Sequence, residues 1–122
     1  MFEPNAIVLY VDNPAISSTF YQDLLKIKPI EASPGFHSFT LSNGMSLGLK
    51  AIHTVIPTTD NRGSGELAFT VDNHRKVDEL FAEWQMKGIN IAQHPTLLTY
   101  GYTFLALDPD GNRLRVVSLE SS

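Results

Sequence analysis

The side chains that most often perform chemistry are few in this 122-residue chain, and they do not cluster. The four histidines are His37, His53, His74 and His94. None sits at the His-x-His or His-x₃-His spacing that turns two imidazoles toward one metal ion. An ordinary surface or hydrogen-bonding histidine is the reading each supports by itself. Cysteine is absent, which removes disulfides, thiolate metal sites and cysteine nucleophiles together. No Ser-His-Asp arrangement, phosphate-cradling glycine loop or spaced pair of acid/base carboxylates can be traced. What remains is aromatic: seven Phe, four Tyr and one Trp. Planar rings joined by a few placed polar groups are the walls of a small-molecule cleft.

The elements that would position such groups come from composition and periodicity. Hydrophobic residues at 43% against 18% charged predict one folded domain with a real core. Nine Lys and Arg against thirteen Asp and Glu leave no basic surface for nucleic acid or anionic lipid. The longest apolar run, Ala6 to Val11, is far below the ~20 residues of a membrane helix. Met1-Phe2-Glu3-Pro4 carries no basic leader pattern, so a cytoplasmic protein is expected.

The tripeptide Val-Asp-Asn occurs at Val11-Asp12-Asn13 and again at Val71-Asp72-Asn73, sixty residues apart. Each copy ends a short apolar strand (Ala6–Val11, Glu66–Val71) and opens a helix-period segment. Asn13 is a good N-cap with Pro14 behind it, and Ile16, Phe20 and Leu24 make an apolar stripe. Asn73 caps the second helix, whose stripe is Val77, Leu80, Phe81 and Trp84, with Gly88 at its end. Three strand-like runs follow each helix: roughly 29–32, 36–41 and 45–51, then 89–94, 102–107 and 113–119. Asn43-Gly44 and Asp110-Gly111 supply turns. The chain thus reads βαβββ twice, as one domain over residues 1–122. Its modules cover about 5–56 and 64–120, joined by a linker at 57–63.

Strand residues alternate faces. Leu67, Phe69 and Val71 belong under a helix, which sends Glu66, Ala68 and Thr70 to the other face. In the last strand Leu114 and Val116 separate from Arg113, Arg115 and Val117, and in the first Ile7, Leu9 and Val11 separate from Ala6, Val8 and Tyr10. Each module therefore has a second face that is mixed, small and partly charged.

Tandem βαβββ modules, Phe20-Tyr21 in the first helix, Val71-Asp72-Asn73 after the fifth strand and Asp108-Pro109-Asp110-Gly111-Asn112 before the last strand form a recognisable series. The chain resembles the vicinal oxygen chelate superfamily of glyoxalases, bleomycin resistance proteins and extradiol dioxygenases. The resemblance implies an α+β fold in which two βαβββ modules form a curved mixed-sheet cleft, commonly within a homodimer. Metal-dependent members hold a divalent ion with four inward side chains. Those positions fall here on Ala6, on Gly48 or Leu49, on Glu66 and on Arg115. One carboxylate survives and a guanidinium, cationic at any working pH, replaces another. No metal, cofactor or catalytic residue is therefore expected. Glu66 and Arg115, at positions that converge on one ion in metal-binding members, are expected to meet as an ion pair.

Glu66, the helix segment Val77–Trp84, Thr103-Phe104-Leu105 and Leu114-Arg115-Val116 are similar to the metal-free, phenazine-antibiotic resistance (griseoluteate-binding) type. That type binds a planar aromatic drug by stacking and releases it unchanged. The expectation is a metal-independent protein sequestering a small aromatic molecule. Tyr10, Phe36, Phe39, Tyr100 and Tyr102 are candidate walls, Glu66 and Arg115 the polar anchors, and His37 a neighbour on the cleft edge. Trp84 is assigned to the core. The alternatives are a metal-dependent lyase or dioxygenase with displaced ligands, and a non-catalytic dimeric interaction module.

Overall fold

The computed structural model describes residues 2–119. Its elements run β1 (Ala6–Val11), α1 (Pro14–Leu25), β2 (Glu31–Ser33), β3 (Phe36–Thr40) and β4 (Ser46–Ala51). After a short 3-10 turn at Ile52–Thr54 come β5 (Glu66–Val71), α2 (His74–Met86), β6 (Asn90–Leu98), β7 (Gly101–Leu107) and β8 (Arg113–Ser118). The fold is α+β, with two βαβββ modules dividing into compact units between Gly63 and Ser64.

The first unit holds a sheet ordered β1-β4-β3-β2, with β1 parallel to β4 and the other pairs antiparallel. The register sets Leu9 beside Leu49, Val11 beside Ala51 and Leu47 beside Phe39. All six are buried and make up the helix-side face. Asn13 starts α1 as its type predicts: its Oδ1 accepts from the backbone N–H of Ala15 at 3.0 Å and of Ile16 at 3.3 Å. The expected stripe on this helix is rotated. Ile16 is exposed, and the buried positions are Pro14, Ser17, Ser18, Tyr21 and Leu24. Two serines let the helix lie close to the sheet, and the Tyr21 ring fills the space that remains. Volume, not hydropathy, selects the buried face.

The second unit repeats the topology as β5-β8-β7-β6, with β5 parallel to β8. Asn73 caps α2 through Lys76 N–H at 2.9 Å, and Gly88 takes a left-handed φ of 78° just past the helix. Trp84 is buried, edge-on to Phe69 and Phe104 at 5.7 and 5.3 Å. β6 runs four residues beyond the expected end at His94. Pro95 does not stop it, because β6 lies at the sheet edge, and the pairing slips on both sides of Gln93.

The turn before β8 is a buried knot. Asp108 Oδ1 accepts from the N–H groups of Asp110 and Asn112, both at 2.9 Å, while Asn112 Nδ2 donates to Asp108 Oδ2 at 2.9 Å. Asn112 Oδ1 then accepts from Gly65 N–H at 2.8 Å, and Arg113 N–H donates to the Gly65 carbonyl at 2.8 Å. The knot thus fixes the residue preceding Glu66 against the start of β8. Among the described residues no helix is long and apolar enough to cross a membrane.

Candidate functional site

In the second unit, the face turned away from α2 carries the charged cluster. The parallel register places Glu66 beside Arg113 and Ala68 beside Arg115, so all four share that face. Glu66 reaches diagonally past its partner to Arg115, with Oε2 at 3.4 Å from Nε. The Arg115 side chain is only 15% exposed, against 43% for Glu66. Its Nη1 donates to Thr103 Oγ1 at 3.1 Å. That hydroxyl spends its single proton on the Val116 carbonyl at 2.7 Å, which leaves its lone pairs for the guanidinium. Thr103 is fully buried, so the anchor is rigid. The Tyr100 ring completes the setting, its centroid 5.9 Å from Arg115 Cζ. A fixed cation with a planar donor fork suits a carboxylate, a phenolate or an electron-rich ring.

In the first unit the corresponding open face carries a row across three strands. Tyr10 pairs in register with Lys50, and Lys50 with Phe36. The Phe36 ring lies against Gly48, and Lys50 Nζ stands 6.0 Å from its centroid. A Cβ at Gly48 would meet Phe36 Cε1 at 2.8 Å, so the glycine is what lets the ring lie down. Gly48→Ala is therefore expected to cost about 1 kcal/mol, since the ring is a movable side chain rather than backbone. In urea unfolding the loss should vanish when Phe36→Ser is combined with it. A penalty that persists in the double variant would mean the ring is not what the methyl meets.

Tyr10 is on the open face of its sheet, and Glu66, Arg115 and Tyr100 come together on the other. Three expected neighbours stand elsewhere. Phe39 is fully buried, on the α1 side with Leu47. His37 shares that side, half-buried beside Leu49, with Nδ1 buried and no hydrogen-bond partner. Tyr102 faces α2: its hydroxyl donates to Asp78 Oδ1 at 2.7 Å and its ring stacks on His74 at 4.5 Å. That hydrogen bond to a carboxylate, with some burial, holds the Tyr102 phenol above its ordinary pKa. Its stabilising share is present below the unfolded tyrosine range and is lost as pH rises through the folded value. Thr103 and Lys50 were missed by sequence reasoning. Both follow from register: Lys50 is Phe36's partner once the Asn43-Gly44 turn is placed.

A family model described as the Glyoxalase/Bleomycin resistance protein/Dioxygenase superfamily matches residues 4–116. The chain belongs to that superfamily. Its similarity to the phenazine antibiotic resistance protein EhpR of Enterobacter agglomerans is 30% identity over 120 residues, covering 96% of this chain and 92% of that one. It is 47% identical to an Agrobacterium tumefaciens protein solved by NMR, with a TM-score of 0.87 over 99% of this chain and all of that one. The lactoylglutathione lyase of the same organism shares the fold at a TM-score of 0.77, with 21% identity over 95% and 92% of the two chains.

Superfamily enzymes are expected to carry a divalent metal, and the donor set here does not fit one. Ala6 has no donor atom, Gly48 lies under Phe36, and Leu49 is buried on the helix side. Arg115 places a permanent positive charge 3.4 Å from the one carboxylate that remains. Among the described residues no three His, Cys, Asp or Glu side chains gather into a group able to hold a metal ion.

Proposed function

We propose that this protein binds a planar aromatic small molecule without a metal ion and releases it unchanged, acting as a sequestering protein rather than an enzyme. The observation that carries the reading is Arg115, locked on Thr103 and facing Glu66 at two positions where metal-dependent relatives place ligands. A fixed guanidinium there offers polar recognition in place of Lewis acidity. Beside it, Tyr100 supplies a ring face of the kind that stacks on an arene. The resistance protein EhpR, at 30% identity, gives the ligand class its chemical direction: a phenazine or a similar fused ring.

On this reading the two modules, about 5–56 and 64–120 with the linker at 57–63, act as one domain within a homodimer. Exposed Thr70 on β5 and exposed Val8 on β1 are open sheet-face positions of the kind a partner covers.

Thermal shift with a panel of planar arenes, phenazine included, tests the reading. A ligand of the native state adds about 2.7 kcal/mol at a hundredfold excess over its dissociation constant. The bound compound should be recovered chemically intact. Protein purified without chelator should hold far less than one equivalent of Zn, Ni, Fe or Mn. A stoichiometric metal that is lost on Glu66→Ala would overturn the proposal, as would a panel that leaves the melting temperature unmoved.

A further inference from the structure

We infer that Glu66 is a tethered competitor for the Arg115 seat, and that the site is built for a ligand bearing a carboxylate that displaces it. The inference rests on the small-molecule reading above and adds the ligand's charge and the residue that gates it.

Four observations carry it. First, Arg115 does not need Glu66 to stay in place: Nη1 is held by buried Thr103 and the guanidinium lies by the Tyr100 ring. Second, the Glu66 contact is a single one at 3.4 Å from Nε, longer than the charge-assisted bonds of a two-pronged pair. The fork is therefore occupied but not filled. Third, Glu66 is nearly half exposed, so a rotation into water costs it little. Fourth, Arg113 is its direct register partner on the same face, and gives the displaced carboxylate a second cation to lie beside. Exchanging one carboxylate for another conserves the charge balance around a largely buried cation. A neutral ring would have to leave the internal pair intact. The site thereby separates an aromatic acid from its amide.

Benzoate and benzamide are the probes, because each isolates the charge from the size of the ring system. The reporter is the Arg115 Nε–H resonance in ¹H–¹⁵N spectra, assigned by its loss in Arg115→Lys. Benzoate should move it in the wild-type protein and benzamide at equal concentration should not. Glu66→Gln should tighten benzoate by about fivefold, the upper end of what an exposed ion pair is worth. Arg115→Met should abolish benzoate binding, read for this variant from the loss of broadening in the benzoate ¹H signals, while its unfolding curve stays cooperative. Unchanged or weaker benzoate binding in Glu66→Gln would overturn the inference and make Glu66 a positioning residue. So would a benzamide response equal to that of benzoate. Neutral phenazine separates this outcome from the broader reading. If benzoate behaves as expected while fused arenes fail to bind, the aromatic-drug reading falls and the competitor role stands. Phenazine binding with no benzoate response gives the reverse.

Discussion

Asn112→Ala is expected to destabilise the protein by about 3 kcal/mol in urea unfolding. The side chain is 2% exposed and makes two bonds that alanine cannot replace, from Nδ2 to Asp108 and to Oδ1 from Gly65 N–H. Each orphaned group costs about 1–3 kcal/mol when water cannot reach it, more when the group is a carboxylate. Asp108 is itself buried, so the amide donor lost from its Oδ2 is lost where water has little access. Asn112→Asp separates hydrogen bonding from packing. It keeps the acceptor for Gly65 but sets a second carboxylate against Asp108. That variant should be at its worst near neutral pH and recover as pH falls, because two adjoining carboxylates cannot both stay ionised. A loss below ~1 kcal/mol for the alanine variant, within the range of a single ordinary hydrogen bond, would mean the knot is not cooperative.

Gly101→Ala is expected to cost a similar amount, about 3 kcal/mol, because the methyl finds no room and the φ of 156° at Gly101 is one that residues with a side chain rarely adopt. An added methyl would stand well inside contact distance of the Ser118 carbonyl oxygen and press on the Val117 side chain. Backbone cannot swing aside as a ring can, so the β7–β8 ladder itself must open. That ladder carries Thr103 and Arg115, and the adjoining residue is Tyr100. For a domain of this size the melting temperature should fall by about 10 °C. The anion response of Arg115 should weaken with it. A variant as stable as wild type would show that β7 has slack at its first residue.

The legible parts of this fold were those written in local chemistry. Asn13-Pro14 and Asn73 name helix starts because their side chains satisfy backbone N–H groups at 3.0 and 2.9 Å. The parity that paired Glu66 with Arg115 on one face needs only the alternation Leu67, Phe69 and Leu114, Val116. What stayed hidden depended on which side of a strand packs. β3 reads Phe36-His37-Ser38-Phe39-Thr40, an aromatic on each face, so hydropathy cannot choose between them. The choice is made by β4, whose Leu47 and Leu49 draw Phe39 and His37 to the helix side and leave Phe36 on Gly48. Tyr102 carried no such signal at all. Its side is identified by an acid twenty-four residues away, Asp78, which accepts its hydroxyl proton. The α1 stripe failed for a different reason: Ser17 and Ser18 are buried for their small size, which hydropathy scores as surface.

Trp84, the sole tryptophan, stands edge-on between Phe69 and Phe104, on the side of its sheet opposite Arg115. Its emission is therefore a clean optical gauge of whether the second unit is folded, blue-shifted while the ring is dry and red-shifted once water reaches it. A molecule settling beside Arg115 makes no contact with that fluorophore. Occupancy has to be followed through the absorbance of the ligand itself, or through the signal of Tyr100, whose ring stands 5.9 Å from the guanidinium carbon.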